Sequence, residues 1–423
     1  MPKKSEVMKI YRPRLIDEII KDRLNAFGGV LITGPKWCGK SWTATYHASS
    51  LIEIDKGDNK QKALLAPDLV LEGDTPRLID EWQDAPILWD YARRLIDDRH
   101  TPGQFIFTGS AVPPEDKMSH SGTGRFARLS MRPLSLFESG ASTGKVSLAK
   151  LFNGDSFASL LSDMDFKTVL RYICKGGWPA AFWLKDEAAF QISKEYVKAI
   201  AEIDISRVDD VKRNPSNVRI FMKSLARNVA TPVKISTLVT DVSSDDRGLS
   251  DKTIRSYYDA LLKIYVIDEQ EAWKPSLRSR ARIRTTPKRH FIDPSLAVAA
   301  LGATPKILEN DIKTAGFLFE SLCFRDLSVY AEAIGGSVYH YQDESGLESD
   351  IVLQLDNGDW AALEVKLGTF EFDEAAKNLI HLRNTVDEES MRPVFLAILT
   401  ASGGVAYKRD DGVFVIPIDQ LGP

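Results

Sequence analysis

Apolar positions in the first hundred or so residues fall into short blocks. "GGVLIT" (29–34), "SLIEID" (50–55), "RLID" (77–80) and "GQFIFTGS" (103–110) are β-branched or aromatic runs bounded by turn residues or acids. Such runs predict buried strands. In "PILWDYARRLID" (86–97) the period changes: Leu88, Tyr91, Ala92, Leu95 and Ile96 recur at helical spacing and form one stripe. That spacing predicts a helix lying on a sheet, and strands alternating with helices predict an α/β fold with a parallel sheet.

Beyond residue 140 the texture changes. Residues 141–215 are mostly helical in pattern, with "GGWP" (176–179) as a breaker and "EYVKAIAEIDISRV" (195–208) as an amphipathic stretch. Residues 233–273 read as a helix, a turn, a second helix and a hairpin. Further on, "GFLFESLCFRDLSVYAE" (316–332) predicts an amphipathic helix, and residues 337–368 alternate as a strand meander. Two to four domains are expected, since 423 residues exceed one core of usual size, and the changes of pattern divide the chain at 1–140, 141–215, 216–290 and 291–423.

The joint between the first strand and the helix after it carries the first chemistry. "GPKWCGKS" places Gly34, Pro35, Lys36, Trp37, Cys38, Gly39, Lys40 and Ser41 in the pattern G-x-x-x-x-G-K-S, after a strand and before "KSWTATYHA". A strand, a glycine turn and a helix N-terminus aim backbone N–H groups and the positive end of the helix dipole at one point, where a polyphosphate can sit. Lys40 would reach the β- and γ-phosphates of ATP, and Ser41 would hold Mg²⁺. Cys38 is read as a small tolerated side chain.

Acids at the C-terminal end of a parallel strand stand where such a sheet places its reactive groups. Asp80 is expected to support the Mg²⁺ shell, and Glu81 to orient and deprotonate the attacking water. Ser110 follows "FIFTG" at the same end of its strand, where it would touch the γ-phosphate or the water, or cap the turn. Arg125 and Arg128, placed about one helical turn apart in "GRFARLSMRPLSLFE" (124–138), are candidates for an arginine that stabilises the transferring phosphate, from this chain or a neighbouring copy.

Together "GPKWCGKS", "LIDEWQDAP", "FIFTGS", "GRFARLSMRPLSLFE" and "GGWPAA" resemble the prokaryotic AAA-type ATPase family whose C-terminal domain of unknown function is related to the restriction-endonuclease fold. The resemblance implies a P-loop ATPase core over 1–140, with Gly34 to Ser41 as Walker A, Asp80 and Glu81 as Walker B, Ser110 as the first sensor, and Arg125 or Arg128 as the finger. It also implies a helical lid over 141–215, a winged-helix-like module over 216–290 and a nuclease-like domain over 291–423.

Three further sites follow from the residues. Ser250, Lys252, Thr253, Arg255 and Ser256 would open the second helix of the helix-turn-helix pattern, the one that enters a DNA groove in such proteins. In "SLRSRARIRTTPKRH" (276–290), Arg278, Arg280, Arg282 and Arg284 alternate, so an extended chain would point all four to one face; Lys288 and Arg289 follow, with no acid in the segment. A face of that kind suits the phosphate backbone of DNA or RNA, or the acids of another domain. In the last third, Glu364 and Lys366 share a strand face, Asp350 lies on the strand before, and Glu320 can approach from a helix. Three carboxylates and a lysine could bind Mg²⁺ and activate water for phosphodiester attack. The spacing resembles PD-(D/E)xK nucleases, whose fold also has silent relatives.

Composition narrows the rest. Hydrophobic residues make up 43% and charged residues 27%, as in soluble globular proteins. No apolar run approaches a membrane span, and "MPKKSEVMKIYRPR" has no signal-peptide core, so a cytoplasmic protein with no membrane partner is expected. The cysteines Cys38, Cys174 and Cys323 form no C-x-x-C pair, and the six histidines show no metal-ligand spacing. A net charge of −4 opposes general coating by nucleic acid while allowing local basic patches. The expected function is a Mg²⁺-dependent ATPase coupled to nucleic-acid handling, with or without cleavage by the C-terminal domain. The alternative is a nucleotide switch whose nuclease-like domain is a silent protein-binding module. A homo-oligomer is expected where the arginine acts between copies.

Overall fold

A computed structural model describes residues 9–110, 121–209, 211–243, 249–275, 286–386 and 392–423. The chain divides into two compact units. The first comprises residues 1–133, 203–213 and 259–266; the second comprises 134–202, 214–258 and 267–423.

The first unit is built on strands β1 (Gly29–Thr33), β2 (Ser50–Glu53), β3 (Arg77–Asp80), β4 (Phe105–Gly109) and β5 (Phe126–Ser130), all parallel, in the order β2-β3-β4-β1-β5. Parallel strands need crossovers, which helices α1 (Ile16–Ala26), α2 (Lys40–His47) and α3 (Ile87–Arg99) help to provide and to cover. Val30, Leu31 and Ile32 are buried in succession, as expected for a strand covered on both faces. On α3, Leu88, Trp89, Ala92 and Ile96 are buried against Phe105 and Phe107, with Tyr91 and Leu95 partly covered, so the predicted stripe is the packed face. Strands β1, β3 and β4 end side by side, Thr33 beside Gly109 and Asp80 beside Thr108, and so bring the phosphate loop and the acids to one sheet edge.

The second unit carries helices α4 (Phe166–Lys175), α5 (Asp186–Ala199), α6 (Pro215–Arg227) and α7 (Ile235–Ser243). Helix α8 (Asp251–Lys263), of which residues 251–258 belong to this unit, follows, and then the antiparallel pair β6 (Ile267–Gln270) and β7 (Lys288–Phe291). This is the helix, helix and strand-pair order of the sequence pattern. After α9 (Pro294–Leu301) and α10 (Ile312–Ala333) come β8 (Gly336–Gln342), β9 (Glu348–Leu355), β10 (Trp360–Lys366), α11 (Phe372–Thr385), β11 (Leu396–Thr400), β12 (Val405–Lys408) and β13 (Phe414–Pro417). The mixed sheet runs β8-β9-β10-β11-β13-β12, with the short segment Leu160–Leu161 at its edge. Phe372, Leu379 and Leu382 of α11 pack on Val352, Ile398 and Val415.

Three local expectations need correction. Residues 126–130 form strand β5, so Arg125 and Arg128 do not lie one helical turn apart. Helix α10 is buried nearly all round, carrying Glu320, Arg325 and Asp326 inside rather than on a polar face. Lys288 and Arg289 do not continue an exposed basic edge; both are buried in β7, where Arg289 meets the Tyr258 hydroxyl at 2.9 Å. Arg278, Arg280, Arg282 and Arg284 lie outside the described residues.

Candidate active site

The loop from Gly34 to Ser41 joins β1 to α2. Gly34 has φ 144°, and a Cβ there would lie 2.2 Å from the Met131 carbonyl oxygen, which leaves space for glycine alone. Gly39, at φ 106°, turns the chain into α2. Trp37 adopts φ 65° without being glycine, and its side chain is exposed. A non-glycine residue in this region marks a strained position of the kind that collects at functional sites.

Lys40 is buried, and its Nζ donates to the Gly34 and Pro35 carbonyls at 2.9 and 2.7 Å. Its ammonium thus lies over the loop that would hold phosphate. Ser41 Oγ donates to Asp80 Oδ1 at 2.8 Å, and Thr108 Oγ1 donates to the same oxygen. Burial pushes the Asp80 carboxyl up to about 6, against the pull of those two hydroxyls. A serine hydroxyl beside a buried aspartate is a set of hard oxygen donors, which fits Mg²⁺ completed by water and phosphate.

Glu81 follows in the left-handed region, at φ 55° and ψ 44°. Its Oε2 accepts from the Gln83 side-chain amide and, at 3.4 Å, from Ser110 Oγ. Ser110, expected at the γ-phosphate, the water or the turn, thus stands beside Glu81. Neither arginine is recorded on these groups: Arg125 Nε donates to Asp97 Oδ1 at 2.9 Å, and Arg128 donates to the Ser121 carbonyl at 2.8 Å and lies over the Trp89 ring.

Sequence reading missed three contacts of the loop and of α2. Arg14 donates to the Cys38 carbonyl at 3.0 Å and to the Arg132 carbonyl at 2.9 Å. Tyr11 stacks on Tyr46 at 4.4 Å and hydrogen-bonds Thr43 and Asp17. Lys36 pairs with Asp204 at 2.6 Å. "YRPR" stands out in the sequence as an aromatic and basic cluster, but only the fold brings it to α2.

A second group of charges lies inside the second unit. Antiparallel pairing of β9 and β10 sets Ile351 opposite Leu363, which carries Asp350 close to Glu364 and Lys366. Lys366 Nζ is 2.9 Å from Glu364 Oε2 and 4.0 Å from Asp350 Oδ2. Glu320 joins the group through Lys288, whose Nζ is 2.6 Å from Glu320 Oε1 and 3.4 Å from Asp350 Oδ1. The expected four residues come together with a fifth, a second cation. Burial pushes Glu320 up to about 7 against the pull of Lys288. It also raises Glu364, helped by Asp350. Burial opposes the Asp350 charge too, but Lys288 and Lys366 outweigh it and hold that carboxyl below its ordinary range. Among the described residues no group of three or more His, Cys, Asp or Glu is arranged to hold a metal ion.

A phosphate loop on a parallel sheet, with a serine-aspartate contact at its mouth and a glutamate next in line, defines a P-loop nucleotide hydrolase. Residues 27–139 match the AAA domain family, so this part of the chain is similar to AAA-type P-loop ATPase domains. Residues 167–307 and 315–421 match two domains of unknown function, DUF8612 and DUF4143. Solved structures similar to this chain include a Walker-type ATPase of Pyrococcus abyssi, at 11% identity and a TM-score of 0.41 over 67% of this chain and 94% of that one. They also include AMPPCP-bound DnaA from Aquifex aeolicus, at 14% identity and a TM-score of 0.27 over 58% and 86% of the two chains. A third is a single-substitution form of RuvB from Thermotoga maritima, at 16% and 0.25 over 63% and 88%. No curated protein matches the chain. No helix among the described residues is long and apolar enough to cross a membrane.

Proposed function

We propose that this protein is a Mg²⁺-dependent ATPase whose nucleotide cycle serves nucleic-acid handling. The contact between Ser41 and Asp80 carries the reading, because a hydroxyl and a carboxylate 2.8 Å apart beside a phosphate loop are placed to share one hard cation with a nucleotide. Lys40 leaves the loop carbonyls to meet the β- and γ-phosphates, and the backbone N–H groups from Gly34 to Ser41 hold the remaining oxygens. Glu81, held by Gln83 and Ser110, orients water and takes its proton. The magnesium ion, when bound, neutralises charge on the transferring phosphate.

Nucleic acid is the proposed partner through Arg278, Arg280, Arg282 and Arg284 and through the winged-helix reading of α7, α8, β6 and β7. Two forms of the proposal differ in the nuclease-like domain. In one, Glu320, Asp350, Glu364 and Lys366 cut a phosphodiester with Mg²⁺; in the other, the domain is silent and binds protein. The contacts of Lys288 favour the silent form, because its ammonium already lies against Glu320 and Asp350.

Turnover tests the ATPase reading. Lys40→Ala should abolish nucleotide binding, and Glu81→Gln should bind ATP while losing at least about 100-fold in kcat, the usual worth of a general base. Equal rates for wild type and Glu81→Gln would remove Glu81 from that role.

A further inference from the structure

The buried charges of the second unit are arranged around a residue that the sequence pattern assigned elsewhere. Lys288 belongs to β7, and its side chain is 11% exposed. Its ammonium bridges two carboxylates from different elements, Glu320 of α10 and Asp350 of β9, at 2.6 and 3.4 Å. Asp350 is divided between two cations: Oδ1 faces Lys288, while Oδ2 faces Lys366 at 4.0 Å and accepts the Val365 N–H at 2.9 Å. Glu364 gives Oε2 to Lys366 at 2.9 Å, but its Oε1 is buried with no hydrogen-bond partner among the described residues. A buried carboxylate oxygen without a partner costs free energy unless a cation or donor meets it.

We propose that Lys288 is the tethered cation of this cluster and holds closed a divalent-cation site formed by Glu320, Asp350 and Glu364. The ammonium occupies the space between Glu320 and Asp350 that a bridging ion would need. Tethering decides the competition, since a cation on the chain is always present, whereas one from solution must be stripped of water. Removing the amine while keeping the stem leaves three carboxylates facing Lys366 alone. Magnesium or manganese then has both a vacancy and an excess of negative charge to bind, and the unpartnered Glu364 oxygen becomes available as a ligand. The inference goes beyond the ATPase reading and does not depend on it.

The test measures Mn²⁺ binding by electron paramagnetic resonance on the full chain, in an Asp80→Asn background so that the phosphate loop contributes no site. With Lys288 intact, no Mn²⁺ site sensitive to Asp350→Asn is expected. With Lys288→Met added, one site should appear, at least about tenfold tighter than any in the parent, as the loss of a competing charge at close range implies. Adding Asp350→Asn should abolish it. Mn²⁺ should also raise the thermal midpoint of the Lys288→Met protein and leave the parent unmoved. A parent that already binds Mn²⁺ through Asp350 overturns the proposal. So does a folded Lys288→Met protein that binds none, or one that stays unfolded in Mn²⁺, since the ion should replace the missing charge. Lys288→Gln serves as the milder variant, with the same expectations. ATP turnover by Lys288→Met in the unaltered Asp80 background reports on the first unit separately, so failure here is distinguishable from failure of the ATPase reading.

Discussion

Glu81 can act as a base only if its carboxylate is aimed, and the aim comes from Gln83 and Ser110. Gln83 uses its amide nitrogen on Glu81, while its Oε1 is buried without a partner among the described residues. Gln83→Ala is expected to lower kcat by about tenfold with KM for ATP unchanged, because the phosphate loop keeps its own hydrogen bonds; such a split separates positioning from binding. Steady-state kinetics check this, and an unchanged kcat would show that Glu81 is oriented without the amide. His340 offers a prediction of another kind. Its Nε2–H donates to the Thr286 carbonyl at 3.1 Å, and burial, with Lys288 nearby, pushes the imidazole down to about 4. The unfolded chain, with an ordinary histidine, takes up the proton first as pH falls. The stability that depends on neutral His340 is therefore complete above about pH 6.5 and is lost progressively to about pH 4, amounting to roughly 3 kcal/mol. Glu320, raised to about 7, works in the opposite sense, so the difference between wild type and His340→Gln is the observable. Urea denaturation should show wild type losing stability relative to the variant over that interval, and a constant difference would exclude His340 as the source.

At the scale of elements, the parts that depend on neighbours in sequence were legible. The β1 strand, the phosphate loop and α2 follow from one apolar run and two glycines, and the Asp80-Glu81 pair follows from its place at the end of β3. Even the approach of Asp350, Glu364 and Lys366 follows from pairing two consecutive strands. What escaped is what the fold brings from afar. Lys288 reads as one more charge in a basic run, and nothing local shows that β7 will bury it against α10 and β9. Helix α10 carries the sequence "FRD", which suggests a solvated face; in the fold Arg325 pairs with Asp293 at 2.8 Å and Asp326 at 2.6 Å, all of them buried. A spacing of three between Arg125 and Arg128 suits a helix, but Arg128 and Ser130 alternate outward from a strand. With Lys288 and Arg289 committed to the interior, any phosphate binding by the basic segment rests on the four arginines before them. Changing Arg278, Arg280, Arg282 and Arg284 to serine should weaken binding to duplex DNA and flatten its salt dependence by about 0.9 unit of slope for each phosphate left without its arginine. Titrations at several salt concentrations measure that slope, and an unchanged slope and affinity would remove the four arginines from nucleic-acid binding.

At the scale of the whole molecule, the phosphate loop has its lysine, serine, aspartate and glutamate within one unit, yet neither candidate arginine is recorded against them. Arg125 is engaged by Asp97, and Arg128 by the Ser121 carbonyl and the Trp89 ring. Both side chains are on the surface, where a neighbouring copy of the chain could take up their charge. Transition-state charge on the transferring phosphate needs an additional cation for fast turnover, and such an arginine is worth roughly 10³-fold or more in rate. If it comes from a second copy, specific activity per subunit must rise with protein concentration until the oligomer is saturated. The decisive measurement mixes two inactive proteins. Lys40→Ala lacks a working loop but keeps its arginines; the double variant Arg125→Ala, Arg128→Ala keeps its loop but has no finger to offer. At a mixed interface the loop of the second faces the arginine of the first, so ATPase activity should reappear, reaching at most about a quarter to a half of wild type because only mixed pairs work. A rate independent of concentration, with no recovery on mixing, would place the finger within the same chain or remove it from the mechanism.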